Sequence, residues 1–316
     1  ALAEALGKRA PALVFSAGNQ MHWHLAKALQ KLPSDVRPRV VGRVSNAVVS
    51  LGEANPLFRA VIKPQERFQY QAMNHVVAVS QELRNQLVGG LGLEAERVSC
   101  IPNGIDVNRF SGGQDGAAAI ERPVILGIGR LSKQKDFGTL IDAVAKLRTS
   151  QRPILRILGR GTNAWKAKLT NHAKSKGIGD QLELLGHVDD VAIHLRRADL
   201  FVSSSRWEGA SNAVLEALAC GTPIVATKAP TGIEEVLLPL GRDILVPVGD
   251  PDALARAIET RLGQPRGSDG LIERARDFGL SSTLDRYSQM FTEQLSLAER
   301  PSHRSPRTPA AHLQYN

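Results

Sequence analysis

Residues 200–226 read Leu200-Phe-Val-Ser-Ser-Ser-Arg-Trp-Glu-Gly-Ala-Ser-Asn-Ala-Val-Leu-Glu-Ala-Leu-Ala-Cys-Gly-Thr-Pro-Ile-Val-Ala226. Leu200–Ser203 is an apolar run of strand length. A polar loop follows, and Ser211 or Asn212 then stands where a helix N-cap belongs, ahead of an apolar stripe at Val214, Leu215 and Leu218. Gly221 stops the helix, and Pro223 opens a second apolar run, Pro223–Ala226. Strand, helix, strand is one βαβ unit. Its strands are uninterrupted rather than alternating, which suits a parallel sheet covered on both faces.

The same grammar extends in both directions. Further strands are expected at Ala12–Ser16, Pro38–Gly42, His75–Val79, Val98–Ile101, Val124–Ile128, Ile154–Leu158, Leu182–Leu185 and Ile244–Val246. Helical patterns lie between them at Gln81–Leu91, Phe137–Leu147, Trp165–Lys176 and Asp252–Leu262, with a last one at Ser282–Leu295. Repeated βα units predict α/β architecture in two doubly wound domains. The stretch Ser111–Glu121 is small, Gly-rich and aperiodic, and reads as a linker. The expected division is an N-terminal domain over 1–110, the linker over 111–121 and a C-terminal domain over 122–280. A helix over 281–298 and a disordered tail over 299–316, rich in Pro, Ser and Arg, complete it. The second domain has six candidate strands and the first only four, and the chain starts at Ala1, so the N-terminal domain is expected to be incomplete.

Composition narrows the function classes. Of 316 residues, 42% are apolar, enough for packed cores in two domains at roughly 100–200 residues each. The formal charge is +9, which suits phosphorylated substrates, nucleic acid or an anionic membrane surface. No stripe of Arg and Lys with interleaved aromatics supports nucleic acid. No apolar run reaches the ~18 residues of a membrane span. Cys100 and Cys220 lack metal-ligand spacing and read as small buried side chains of a reduced, cytoplasmic protein.

Four loops follow strands of the second domain, where ligands of open α/β sheets bind. In Gly127-Ile-Gly-Arg-Leu-Ser-Lys-Gln-Lys135, Gly129 lets backbone approach a ligand while Arg130 and Lys135 bring fixed cations. Leu158-Gly-Arg-Gly161 places Gly159 and Gly161 in a tight turn without the third glycine of a dinucleotide fingerprint, which disfavours an NAD-linked oxidoreductase. Glu208 lies in the loop before the helix at Asn212, and Glu216 one turn inside that helix. Each is by itself equally readable as a surface charge. Together they suit hydroxyl recognition, with the helix start facing an anion. Lys228–Glu235 is a further strand-to-helix loop.

The spacing of Glu208 and Glu216, with EGASNAVLEALACGTPIV around them, resembles the E-x7-E motif of retaining glycosyltransferases of family 4. GIGRLSKQKD, ILGRGTNAWKAKL, LELLGHVDD, VSCIPNGIDVNRF and ILVPVGDPDALARAI are similar to the family's other segments, in order, over roughly residues 75–296. The resemblance implies a GT-B fold, two Rossmann-like domains facing across a cleft, with the final helix crossing back to the first domain. It implies a sugar carried from a UDP- or GDP-sugar to a glycan or lipid-linked acceptor, in cell-surface polysaccharide or glycolipid biosynthesis. Arg130, Lys135 and Glu208 would act at the reacting centre: the cations on the donor diphosphate, the carboxylate on the transferred sugar. Glu216 would hold the ribose hydroxyls, and the amides of Gly209, Ala210, Ser211 and Asn212 the sugar or distal phosphate. Gly129, Gly159 and Gly161 would line the donor site, with His187 and Val188 near the base. Arg43, Asn46 and Asn103 are the acceptor-side candidates; Arg43 and Asn46 fall where many members carry a histidine. No protein nucleophile, cofactor or metal is implied. His22 and His24 are expected to pack or face solvent. Peripheral docking at the inner face of the membrane is a modest extension from the basic charge. The alternative is a truncated, non-catalytic protein that keeps the sugar-nucleotide pocket.

Overall fold

The computed structural model describes residues 1–48, 56–111, 122–149, 151–264 and 269–299. Its strands are β1 (Leu13–Ser16), β2 (Arg39–Val44), β3 (His75–Ala78), β4 (Val98–Cys100), β5 (Val124–Ile128), β6 (Ile154–Leu158), β7 (Leu182–Gly186), β8 (Leu200–Ser203), β9 (Ile224–Thr227) and β10 (Leu245–Val246). The helices are α1 (Leu2–Arg9), α2 (Asn19–Gln30), α3 (Pro56–Gln71), α4 (Gln81–Asn85), α5 (Val107–Ser111), α6 (Phe137–Ala145) and α7 (Asn163–Ser175). Then follow α8 (Val191–Arg197), α9 (Asn212–Ala219), α10 (Ile233–Leu237), α11 (Pro251–Leu262), α12 (Asp269–Arg276) and α13 (Leu280–Glu299).

All strand pairs are parallel. The first sheet has the order β1-β2-β3-β4 and the second β10-β9-β8-β5-β6-β7. Successive residues of the second sheet enter different cores. Val124, Leu126 and Phe201 pack with α9 on one face, while Ile125, Leu200 and Val202 pack with α6 and α11 on the other. A strand with no polar face results, and that is why β5, β8 and β9 are apolar at every interior position. The chain winds outward from β5 in one direction and from β8 in the other, so the strand order reverses between these two neighbours. This is the switch point at which an open α/β sheet leaves a crevice.

Several expected boundaries shift. The helix expected over Gln81–Leu91 is α-helical only to Asn85 and continues as a wider π turn over Gln86–Gly90, where Gly89 and Gly90 weaken the regular ladder. Ser111, expected to open the linker, closes α5; residues 112–121 lie outside the described residues. Glu299, expected to open the tail, is the last residue of α13, and residues 300–316 also lie outside. The final helix starts at Leu280.

The helix α13 packs on the first sheet. Phe15 meets Tyr287 and Phe291 edge-on, and Met290 joins Val41, Val77 and Ile101 in a small core. The chain thus passes between domains twice, and the passes touch. Ile105 N donates to Phe278 O at 2.8 Å, and Leu280 N donates to Ile105 O at 3.0 Å. Among the described residues no helix is long and apolar enough to cross a membrane.

Candidate functional site

The loops leaving β5 and β8 flank the switch point and are stitched to each other. Ser204 Oγ donates to Lys135 O at 2.9 Å, Arg206 N to Gln134 O at 2.8 Å and Gln134 Nε2 to Trp207 O at 3.0 Å. Arg206 pairs with Asp136 at 3.0 Å. Gly129 has φ 152°, and a Cβ there would come within 2.6 Å of the Lys135 side chain. Its missing side chain is what lets Lys135 fold back across the loop and point at the β8 side.

There Lys135 Nζ lies 2.6 Å from Glu208 Oε1, with the two side chains only 17% and 7% exposed. Ser205 Oγ donates to the same oxygen at 2.6 Å. A carboxylate this deep needs such partners, since removing one member of a buried pair costs about 3–5 kcal/mol. One turn into α9, burial pushes the Glu216 carboxyl above its ordinary range, opposed by the charges of Lys135 and Arg109. At the start of α9, Ser211 is the N-cap, but its hydroxyl is buried and has no hydrogen-bond partner. Val214 N donates to Ser211 O at 3.1 Å, but the amides of Asn212 and Ala213 before it have no intrahelical acceptor, so this corner carries unmet donors and positive potential.

These groups border a cavity of 670 Å³ between the domains. Gly129, Arg130, Lys135, Glu208, Ala210, Ser211, Asn212 and Glu216 line it from the C-terminal side, and Gly18, Asn19, Gln20, Met21, Ser45 and Asn46 from the N-terminal side. The volume is in the range of small-molecule sites. The wall is cationic and rich in donors at one end, and carries carboxylates beyond it. That set complements a ligand with phosphates joined to a polyhydroxylated group.

Other candidates sit elsewhere. Gly159 and Gly161 do not line the cavity; a Cβ at Gly159 would strike Gly129 O at 1.9 Å, and one at Gly161 would strike Leu131 at 2.5 Å. Their small size packs the β6 loop against the β5 loop. His187 is exposed and Val188 packs on the core beside α8; neither borders the cavity. Gly209 is pressed against the N-terminal domain, where a Cβ would meet Ser45 O at 2.1 Å. Arg43 and Asn103, expected on the acceptor side, are tied up in the closure of the cleft. Arg43 donates to Asn103 Oδ1, and Asn103 Nδ2 reaches Ala210 O at 3.1 Å and Asn212 Oδ1 at 2.6 Å. His22 is buried, its Nε2 3.3 Å from Ser16 O, and burial lowers its pKa; His24 faces solvent. Sequence reasoning passed over Asn19, Gln20, Ser45 and Arg109. The N-terminal three carry no charge, and Arg109 follows an ordinary helix pattern, so spacing held no signal for any of them.

Two family models match the chain: glycosyl transferases group 1 over residues 114–278 and glycosyltransferase family 4 over residues 1–109. The chain belongs to the glycosyl transferases group 1 family. A D-inositol 3-phosphate glycosyltransferase of Geodermatophilus obscurus is 30% identical over 292 residues, covering 86% of this chain and 64% of that protein. A lipopolysaccharide core biosynthesis glycosyltransferase of Rhizobium meliloti is 32% identical over 179 residues, covering 54% of this chain and 50% of its own length. The chain thus spans between half and two thirds of these curated relatives. Among solved structures, Anabaena HepE in complex with UDP and glucose superposes with a TM-score of 0.77 at 19% identity, over 92% of this chain and 81% of that one. Sucrose-phosphate synthase from Thermosynechococcus elongatus superposes with a TM-score of 0.80 at 20% identity, over 94% of this chain and 79% of that one. The GT-B fold, two Rossmann-like domains across a cleft, is shared with both.

Proposed function

We propose that this protein transfers a sugar from a nucleotide-diphosphate donor to a glycan or lipid-linked acceptor, with retention at the transferred carbon, in polysaccharide or glycolipid assembly. The observation that carries the reading is the convergence of Arg130, Lys135, the unpartnered Ser211 hydroxyl and the start of α9 on one cavity that also holds Glu208 and Glu216. In this reading Arg130 and Lys135 bind the diphosphate and neutralise the charge that grows as it leaves. Glu216 accepts from the ribose hydroxyls. Glu208, already fixed by Lys135 and Ser205, accepts from a hydroxyl of the sugar and holds its reacting carbon toward the N-terminal wall. The departing phosphate oxygen takes the acceptor's proton on the same face of the sugar, so no protein nucleophile and no metal enters the step.

A thermal-shift screen of UDP- and GDP-sugars tests the binding half. A donor at a hundred times its Kd stabilises the fold by about 2.7 kcal/mol, a clear rise in Tm. No shift with any nucleotide or nucleotide sugar at millimolar concentration sinks the reading. Release of free nucleotide in the presence of acceptor tests the transfer half, and the rate is expected to be the same with EDTA as without. Binding without release would turn the assignment to a non-catalytic sugar-nucleotide protein.

A further inference from the structure

The loop after β9, Lys228–Gly232, leads into α10 and makes contacts that the donor reading leaves unused. The carboxylate of Glu235, on α10, accepts from two consecutive amides of the opposite domain: Gln81 N–H at 2.9 Å and Glu82 N–H at 2.5 Å. The Glu82 carboxylate returns the contact, accepting from Thr231 N–H at 2.8 Å. Each domain thus offers one carboxylate to the backbone of the other. Such bonds are charge-assisted and stronger than neutral ones.

The residue between the two carboxylates ties this contact to the cavity. Thr231 has φ 73°, an unusual conformation for a β-branched residue, and one that persists only where its surroundings enforce it. Its hydroxyl donates to Glu208 O, and Glu208 N donates back to Pro230 O at 3.2 Å. Next to it, a Cβ on Gly232 would come within 2.5 Å of Gly209 O and 3.1 Å of the Ser80 side chain. The backbone of Glu208–Gly209 is therefore clamped between the Thr231 loop and the N-terminal domain.

We propose that Glu82 and Glu235 are positioning residues. They form a reciprocal interdomain clasp that holds the cleft closed and, through Thr231, holds the Glu208–Gly209 loop at the cavity. The clasp as a closure device stands on geometry alone; its service to sugar transfer rests on the function proposed above.

Small-angle scattering on the full chain, without any nucleotide sugar, tests the clasp independently of that function. Losing a charge-assisted bond lowers the closed-to-open ratio about tenfold. Glu235→Ala and Glu82→Ala are expected to raise the radius of gyration and maximum dimension, with a melting profile that still shows two folded domains. Glu235→Gln keeps a carbonyl acceptor and is expected between wild type and Glu235→Ala. Glu234→Ala, which removes the same charge from the neighbouring residue, is expected to scatter as wild type. Should Glu235→Ala fail to fold, Glu82→Ala, on the other domain, carries the test. Scattering curves of folded Glu235→Ala or Glu82→Ala that superpose on wild type overturn the proposal, as does an equal expansion in Glu234→Ala.

Discussion

The two walls of the cleft are built on different principles. The C-terminal wall works through charge: Arg130, Lys135, Glu208 and Glu216 stand on loops and a helix at the reversal point of a six-stranded sheet. The N-terminal wall lines the same cavity with Gly18, Asn19, Gln20, Met21, Ser45 and Asn46, none of them charged. One wall is a site without its partner. The other becomes part of a site only when the domains meet, and what it supplies is position. The C-terminal wall should therefore tolerate changes of shape better than changes of charge, and the N-terminal contacts the reverse.

The largest effect tests the charged wall. In the proposed reading Lys135→Ala removes a cation from the diphosphate, and in the fold it leaves Glu208 with Ser205 alone. Turnover is expected to fall about 10²–10³-fold, as for loss of a group that stabilises the transition state, with a smaller change in donor affinity. Stability should drop by about 3 kcal/mol in urea unfolding, because a buried carboxylate loses its partner. The double variant Lys135→Met, Glu208→Gln separates these effects: it should recover stability and not turnover. A single variant that keeps wild-type turnover would remove Lys135 from the chemistry.

Gly209→Ala tests the positional wall without touching a charge. Its Cβ would stand 2.1 Å from Ser45 O and 2.8 Å from Asn46 N, so the walls must move apart. Small displacements of reacting groups are costly, and about a 10²-fold loss in kcat is expected. Binding of UDP, held by the C-terminal wall in the proposed reading, should stay within a few-fold of wild type by calorimetry. A variant with unchanged kcat would mean that the closed cleft is not the working state.

The same division explains what could be read from the sequence. The strands of the described residues announce themselves as short apolar runs, most plainly β5, β8 and β9, where residues such as Ile125 and Leu126 are buried on opposite faces and leave no polar interruption. Glycines and cations at strand ends likewise mark Gly129, Arg130 and Lys135. Asn19, Gln20 and Ser45 stay silent, since a backbone brought close by tertiary folding has no residue signature. Arg43 and Asn103 show the limit from the other side. Their side chains suggest a ligand, and in the fold Arg43 donates to Asn103, which in turn donates to Ala210 O and to the Asn212 side chain, partners that no spacing announces. The long helix α3 escaped because Pro64 lies inside it, a residue that ordinarily argues against a helix interior.

Glu216→Gln sharpens the comparison from within the charged wall. If Glu216 holds the ribose as proposed, the amide keeps one acceptor for it but loses the charge, and donor affinity is expected to fall about tenfold. Stability should move the other way. Burial raises the carboxyl's pKa in the folded state, so its protonated form stabilises the fold at low pH, and that contribution is lost as pH rises through the raised value. Glutamine stays neutral throughout. Without ligand the variant is therefore expected to be more stable than wild type at about pH 7 and equal to it at about pH 3, below the ordinary carboxylate range. A variant less stable at neutral pH would mean that Lys135 and Arg109 outweigh burial.

The smallest expected effect belongs to the link between the walls. Asn103 accepts from Arg43 on its own domain and donates to Ala210 O and Asn212 Oδ1 across the cleft. Asn103→Ala deletes the two neutral bonds across the cleft, worth about 1 kcal/mol each where the groups are only partly buried, together with the acceptor for Arg43 within its own domain, and water can replace some of them. Closure then weakens while every charged group stays in place. The consequence should be a three- to tenfold fall in kcat, an order-of-magnitude expectation from one lost net hydrogen bond, with UDP affinity unchanged. Asn103→Asp discriminates further: it keeps the acceptor for Arg43 but turns a carboxylate toward Ala210 O and Asn212 Oδ1, so the domains repel at that point. If Asn103→Asp is the more damaging of the two, the residue serves as a bridge between walls. If the alanine variant instead loses acceptor KM alone, Asn103 meets the acceptor directly, and the N-terminal wall reads its ligand through side chains after all.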